Sequence, residues 1–197
     1  EARRDPDHLG VDSNPTAAVL TRGGLTVVDA GGNDLLRVHR TGRVSTLAVL
    51  QNRTAPAPFP GGPPVLPLQP VPTSVAIGPD GAFYVSELTG FPFPVGGARI
   101  WRVVPGRTPT VYAIGLTNVT DLAWSGRHLY AVQLNDTGLL TRGPGSVVRV
   151  SPRGSRHTTV ASGLTMPYGI AIRGDAAYVT TCSVCAGGGQ VVRVRLP

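Results

Sequence analysis

Short apolar runs, many of them alternating with polar positions, follow one another along the whole chain of 197 residues. Residues 72–77 and 167–172 are two such runs, and each is followed by a glycine-containing turn. Alternation with a period of two is typical of β-strands, whereas the 3.6-residue period of an amphipathic helix is almost absent. The pattern therefore predicts an all-β chain of many short strands joined by tight turns.

The predicted strands recur in units of four. Each unit has an apolar strand, a turn, a second strand, a variable loop, a third strand with an Arg-Val pair, and a fourth strand. The Arg-Val pairs begin at Arg37, Arg102, Arg149 and Arg193, and so lie 65, 47 and 44 residues apart. Because the first interval contains about 20 extra residues, the underlying period is about 45 residues.

Four short strands in a repeat of this length are the signature of a β-propeller blade. We expect one propeller domain with four repeats, at about residues 12–50, 71–115, 116–163 and 164–197, and a proline-rich rim insertion at 51–70. Each repeated arginine is expected to pack its stem between blades and to pair locally.

The fourth predicted blade has three strands and no fourth. An unpaired strand edge is a template for pairing with another strand. We therefore expect a piece of a larger ring, or edges that are filled by another copy of the chain or by another protein. The alternative is a closed four-bladed ring in which residues 1–10 supply the outer strand.

Composition and charge argue against a disordered chain, a nucleic-acid partner and a membrane span. The chain has 26 Gly and 19 Pro, but its 41% hydrophobic content argues against disorder. The net charge of +7 comes from 18 arginines that are scattered rather than clustered, so no nucleic-acid partner is expected. The longest uncharged stretch, 54–79, contains nine prolines, so no membrane span is expected.

The two cysteines, Cys182 and Cys185, form a CxxC pair. Such a pair can be a redox centre, half of a zinc site or a small disulfide loop. Zinc needs four ligands, and no second pair or nearby histidine supplies them. The glycines at 187–189 cannot continue the helix that a redox CxxC opens. We expect a loop disulfide in an exported protein, with free thiols and redox or metal chemistry as alternatives.

Propeller topology places the loops between second and third strands, and the links into each first strand, at one end of the ring. Binding residues concentrate on loops above a rigid scaffold, and the short turns at the opposite end predict a plain face. The candidate ligand-binding residues at the loop-rich end are Asp29, Asn33, Asp34, Glu87, Asn118, Asp121 and Gln133.

Four of these candidates, Asp29, Glu87, Asn118 and Asp121, offer the carboxylate and amide oxygens that Ca²⁺ prefers. The alternative is that the acidic residues cap turns by accepting hydrogen bonds from backbone amides. Calcium is the one cofactor considered. No catalytic residue is assigned, because G-x-S-x-G, H-E-x-x-H, P-loop and dinucleotide-binding motifs are all absent from the sequence.

The proline-rich segment 55–72 has two interpretations. It could be a polyproline II ligand for a protein partner. It could instead be an ordered rim loop in which Phe59, Val65 and Leu66 pack against a neighbouring blade.

Several long runs resemble the ScyD/ScyE family: Asp12-Ser-Asn-Pro15, Val28-Asp-Ala-Gly-Gly-Asn-Asp-Leu-Leu-Arg-Val38, and the runs at 71–81, 86–94 and 102–106. The resemblance covers nearly the whole chain. It implies an exported bacterial six-bladed propeller, related in form to NHL-repeat and gluconolactonase-like proteins, with about two further N-terminal blades and an export signal. It carries over no catalytic residues. The CxxC pair and the turn at 125–127 depart from the family pattern.

Three functions follow as hypotheses. The first is a secreted, non-catalytic propeller that binds a protein partner or a small ligand through its loop-rich end. The second is a Ca²⁺-dependent lactonase-like hydrolase with Asp29 and Glu87 near the metal. The third is a structural subunit that assembles through open blade edges.

Overall fold

A computed structural model describes Gly10 and residues 12–197. Its first sheet consists of β1 (Pro15–Thr21), β2 (Gly24–Asp29), β3 (Asp34–His39) and β4 (Val44–Val49). A two-stranded hairpin follows, made of β5 (Arg53–Pro56) and β6 (Val65–Leu68). The second sheet consists of β7 (Pro72–Ile77), β8 (Phe83–Glu87), β9 (Ala98–Val103) and β10 (Thr110–Leu116).

The third sheet consists of β11 (Val119–Ser125), β12 (His128–Gln133), β13 (Gly145–Arg149) and β14 (Thr158–Leu164). The fourth sheet has three strands, β15 (Ile170–Arg173), β16 (Ala176–Thr181) and β17 (Gln190–Arg195). Each of these four sheets is an antiparallel meander in which sequence neighbours pair. Within the described part of the chain, the one helix is a 3-10 turn, Leu139–Thr141, and no helix there is long and apolar enough to cross a bilayer.

The sheets pack face to face in chain order. Their first strands lie side by side, with β1 against β7, β7 against β11, and β11 against β15. Three apolar clusters fill the spaces between successive sheets. Val28 and Val85 belong to the first cluster, Ile100 and Leu129 to the second, and Tyr130, Val132 and Val179 to the third. Alternation along each strand therefore buries side chains on both faces of the two middle sheets.

A threonine near the start of three first strands links each sheet to the next. The Oγ1 atom of Thr16 donates to the carbonyl of Pro72 at 3.2 Å. Thr73 Oγ1 donates to Val119 O at 2.8 Å, and Thr120 Oγ1 donates to the carbonyl of Tyr168 at 2.7 Å. The repeated hydrogen bond fixes the spacing of the innermost strands, because a buried carbonyl without a donor is costly.

Two details differ from the sequence-based expectations, and a third is not tested. Residues 53–68 form a paired hairpin rather than a loop. The first strand of the fourth sheet begins at Ile170, later than predicted, although Tyr168 and Gly169 still exchange backbone hydrogen bonds with Thr180. The outer strand proposed for residues 1–10 falls, apart from Gly10, outside the residues described.

The repeated arginines pair locally in two units. Arg102 Nε lies 2.7 Å from Asp80 of the turn between β7 and β8, and Arg193 lies 3.6 Å from Asp175 of the equivalent turn. For Arg37 and Arg149, no carboxylate partner is present among the described residues. The 1–2 turns of those two units are Arg22-Gly-Gly24 and Ser125-Gly-Arg127, which contain no acid.

Candidate functional site

The loop-rich end of the molecule consists of the loops that follow β2, β8, β12 and β16, together with the β5–β6 hairpin. The strand register brings these segments to the same end, since Pro15 at the start of β1 pairs with Asp29 at the end of β2, and Pro72 pairs with Glu87. All the candidate ligand residues lie at or near this end.

Asp29 is buried and accepts hydrogen bonds on both carboxylate oxygens. Its Oδ2 accepts from Ser13 Oγ at 2.5 Å, and its Oδ1 accepts from the amides of Asn14, Gly31 and Gly32 at 2.7–3.2 Å. Burial alone would raise the pKa of Asp29, but these donors outweigh it and hold the pKa below its usual value. The carboxylate fastens the loop after β2 to the segment that leads into β1.

Glu87 is completely buried at the end of β8. Its carboxylate accepts two nearly parallel bonds from Arg53, with Nη1 at 3.0 Å from Oε1 and Nη2 at 2.8 Å from Oε2. The indole of Trp101 donates at 2.5 Å and the Arg99 amide at 3.1 Å. Burial raises the pKa of Glu87 to about 7 against the opposing influence of Arg53, Trp101 and Arg99.

Arg53 is the ion-pair partner of Glu87, and no sequence pattern predicts this pair. It lies on β5, 34 residues before Glu87. Its guanidinium also donates to Gly97 O at 2.8 Å. Burial lowers the pKa of Arg53, and Glu87 opposes that effect. A lone arginine beside a proline-rich segment carries no sequence signal for a partner so far along the chain.

Asn33 and Asn118 are buried and join neighbouring sheets. Asn33 Oδ1 accepts from the Val71 amide at 2.9 Å, and Asn118 Nδ2 donates to Leu88 O at 2.9 Å. Both backbones adopt the left-handed conformation, with φ of 50° and 45°, which asparagine tolerates better than most residues. Asn33 Nδ2 and Asn118 Oδ1 are buried without a hydrogen-bond partner among the residues described.

Gln133 stabilises the loops around it, and Asp34 lies buried at the end of the first sheet. Gln133 Oε1 accepts from the Thr117 amide at 2.7 Å, and its Nε2 donates to Asp136 and Ser146. Asp34 is buried at the start of β3, directly opposite Asp29 in the strand register.

Asp121 connects three sheets from its place on β11. Its Oδ1 accepts from Ser74 Oγ of β7 at 2.6 Å and from the Leu122 amide at 2.8 Å. Its Oδ2 accepts from the Ile170 amide of β15 at 2.8 Å. The carboxylate is therefore a junction between the second, third and fourth sheets.

These arrangements do not fit a calcium ion as they stand. Ca²⁺ takes six to eight oxygen ligands, whereas both carboxylate oxygens of Asp29, Glu87 and Asp121 already accept hydrogen bonds. Within the part of the chain described, no group of three or more His, Cys, Asp or Glu side chains could hold a metal. The calcium hypothesis stays a prediction.

The loop-rich end exposes apolar side chains on successive loops. We call them the apolar rim. Each is between 45% and 73% exposed: Phe59, Phe91, Val95, Leu140 and Val184.

The members of the rim from the hairpin and the second sheet contact one another. The rings of Phe59 and Phe91 lie 6.2 Å apart, and Phe91 meets Phe93 edge-on at 6.1 Å. The next loop touches this cluster, because a Cβ atom on Gly138 would come within 3.4 Å of Val95. Of the side chains expected to pack against a blade, Phe59 does reach a neighbouring loop, whereas Val65 stays half exposed.

A disulfide closes the loop that follows β16. Cys182 and Cys185 are bonded, with their Cα atoms 5.1 Å apart. The loop between them carries Val184, the most exposed member of the apolar rim. The bridge restricts the conformations of a loop that presents an apolar side chain to solvent.

No known family matches the sequence, and no curated protein matches it in sequence. Solved structures do match. A catalytically inactive virginiamycin B lyase from Staphylococcus aureus, solved with quinupristin, superposes with a TM-score of 0.58 at 14% identity, over 96% of this chain and 58% of the lyase. A gluconolactonase-like protein gives a TM-score of 0.58 at 16% identity, over 93% of this chain and 63% of its own.

A glucose dehydrogenase-type oxidoreductase from Thermus thermophilus gives a TM-score of 0.53 at 18% identity, over 94% of this chain and 84% of its own. These similar structures are β-propellers, and the fold of this chain is that of a β-propeller protein. The chain spans less than two thirds of the lyase and of the gluconolactonase-like protein. At such identities the likeness shows the fold alone, since one scaffold supports lyase, lactonase and dehydrogenase chemistry.

Proposed function

We propose that this protein is a non-catalytic, secreted β-propeller that binds a protein partner through the apolar rim of its loop-rich end. The observation that carries the proposal is the exposure of large apolar side chains on successive loops of one end. Contiguous exposed apolar surface marks interaction sites, and aromatic residues are enriched at the cores of protein interfaces. The resemblance to the exported ScyD/ScyE family and the disulfide loop support a secreted location.

The polar candidates favour binding over catalysis. A carboxylate that acts as a general acid or base must come within hydrogen-bond reach of the substrate, and one that binds Ca²⁺ must offer an oxygen to the metal. The carboxylate of Glu87 accepts hydrogen bonds from Arg53 and Trp101. The carboxylate of Asp29 accepts hydrogen bonds from four donors. Their hydrogen bonds tie loops to the sheets and so hold the rim in place. This supports the turn-capping interpretation rather than a lactonase-like hydrolase.

A peptide-library selection on the immobilised protein tests the proposal. The matched proteins are the wild type, a rim variant with Phe91→Ser and Leu140→Ser, and a control with Leu20→Ser and Val44→Ser, whose exposed apolar residues lie outside the rim. We expect peptides to be enriched on the wild type and the control but not on the rim variant. Equal enrichment on all three proteins would remove the rim from the function.

A second candidate function is assembly through a strand edge. In the described structure β17 pairs with β16 on one side only, and its Val191 is 66% exposed. Such an edge can accept a strand of another copy. Size-exclusion chromatography over a range of concentrations tests this: oligomers that Val191→Lys abolishes support assembly, and a monomer at every concentration contradicts it.

A further inference from the structure

A cleft lies between the second and third sheets at the end opposite the rim, the end that the sequence predicts to be plain. Its volume is about 450 Å³, within the range of small-molecule sites. The walls come from Tyr84, Arg102, Thr110, Tyr112 and Arg153. None of these residues belongs to the proposed binding rim, so the cleft is independent of the function proposed above.

The aromatic wall of the cleft is rigid. The rings of Tyr84 and Tyr112 meet edge-on at 4.7 Å, and Trp124 packs against Tyr84 at 4.9 Å. The Tyr84 hydroxyl donates to Asp80 at 3.1 Å, which holds its ring in place. Tyr84 is buried, so the ring of a ligand would meet the partly exposed Tyr112, which Tyr84 holds in place.

Hydrogen bonds fix the facing wall, which is the turn between β13 and β14. The Arg153 amide donates to Tyr112 O at 2.7 Å, and the Ile114 amide donates to Gly154 O at 3.2 Å. The ring of His157 lies 2.8 Å from Ile114 O and 3.1 Å from the Ser151 amide. The two sheets therefore hold the cleft open at a defined width.

The backbone of Arg153 adopts a conformation that is uncommon for a residue with a side chain. Its φ is 57°, in the left-handed region that favours glycine. The equivalent position of the second sheet, four residues after the arginine of its Arg-Val pair, is Gly106, with φ of 78°. An arginine therefore stands in a conformation for which glycine is better suited. Backbone strain of this kind clusters at functional sites.

The two arginines of the cleft differ in their partners. Arg102 is paired with Asp80 at 2.7 Å. The Arg153 side chain has no ion pair with any carboxylate that the structure describes. Arg153, which is exposed, lines the cleft together with Tyr112, and guanidinium groups bind carboxylates with charge-assisted hydrogen bonds.

The equivalent groove between the third and fourth sheets lacks this combination. It is lined by Thr158, Thr159 and Val160 on one side. By strand register Val160 takes the place of Tyr112, because Thr110 pairs with Arg102 and Thr158 pairs with Arg149. The aromatic wall thus belongs to the first groove and not to the second.

We propose that this cleft is a binding site for a small aromatic carboxylate, with the carboxylate on Arg153 and the ring against Tyr112. Thr110 lines the same wall, and its hydroxyl donates to Arg102 O at 3.4 Å. A free aromatic acid carries the required charge and ring together, whereas the neutral amide of the same acid lacks the charge that Arg153 selects.

Titration of the wild-type protein with phenylacetate, followed by NMR, tests the site, and phenylacetamide is the neutral probe. Arg153→Gly removes the side chain and relieves the backbone conformation, so this variant is expected to fold at least as stably as the wild type. Arg156→Gln is the matched control, since Arg156 is exposed in the same turn and does not line the cleft.

We expect saturable binding of phenylacetate, about tenfold weaker binding of phenylacetamide, and a loss of about tenfold or more in Arg153→Gly, with Arg156→Gln unchanged. The proposal is overturned by the absence of saturable binding at about 10 mM phenylacetate. It is equally overturned by equal affinity for the amide, by unchanged affinity in Arg153→Gly, or by an equal loss in Arg156→Gln.

Discussion

Arg53 of the inserted hairpin and Glu87 of the second sheet form a buried, two-pronged ion pair with N–O distances of 2.8 and 3.0 Å. The pair joins a segment that lies outside the four main sheets to the end of β8. Phe59, at the tip of the same hairpin, contacts Phe91 in the loop after β8. The buried Arg53–Glu87 ion pair and the exposed Phe59–Phe91 contact therefore both hold the hairpin at the loop-rich end.

Glu87→Gln is expected to lower the free energy of unfolding by about 3 kcal/mol, because it leaves the half-buried guanidinium of Arg53 without a countercharge. Chemical denaturation at about pH 8.5, above the folded-state pKa of Glu87 of about 7, measures the loss. Asp80→Asn is the control: it breaks the exposed pair with Arg102 and is expected to cost less than about 1 kcal/mol. Equal losses in the two variants would mean that the buried Arg53–Glu87 pair contributes no more to stability than the exposed Arg102–Asp80 pair.

Asp121→Asn is expected to destabilise the protein by about 1–3 kcal/mol. The amide of asparagine can accept on one atom only, so either the Ile170 amide or the Ser74 hydroxyl loses its acceptor. Thermal unfolding compares the variant with Asp12→Asn, an exposed carboxylate. A melting temperature unchanged by Asp121→Asn would show that the three-sheet junction contributes nothing to stability.

The stability of the protein is expected to depend on Asp29 at acid pH. Its pKa in the folded state is lower than its usual value of 3.8, because Ser13 and three backbone amides outweigh the effect of burial. The carboxylate therefore contributes stability above pH 3.8 that is lost as the pH falls through the folded-state pKa. The difference in unfolding free energy between wild type and Asp29→Asn should shrink over that range, and a constant difference would contradict this assignment.

Calcium is expected to leave the melting temperature unchanged. The carboxylates of Asp29, Glu87 and Asp121 would have to give up their present donors to bind it. Differential scanning fluorimetry with and without CaCl₂ measures this, with MgCl₂ as the control. A calcium-specific rise that Asn118→Ala abolishes would instead support a site at Asn118 Oδ1, a buried oxygen for which the described residues supply no donor.

Much of the architecture could be predicted from sequence, because alternation and turn residues are local signals. The strand of residues 72–77 and the last two strands of the last unit are examples. The partner of Arg53 could not be predicted, since its hydrogen bonds join residues 34 positions apart. Asp29 and Glu87 both lie at the loop-rich end, but their burial depends on packing that periodicity does not reveal. The cleft beside Arg153 could not be predicted from the sequence, because its walls come from two different sheets and only the structure shows the backbone conformation of Arg153.

The most direct test of the apolar rim is the footprint of a selected peptide, measured by hydrogen–deuterium exchange on the complete chain. The account predicts slower exchange in the loops at 88–97 and 134–144 when the peptide is bound, and no change in the turns at 78–81 and 125–127. Protection confined to those turns, or no peptide that prefers the wild type to the rim variant, would contradict it.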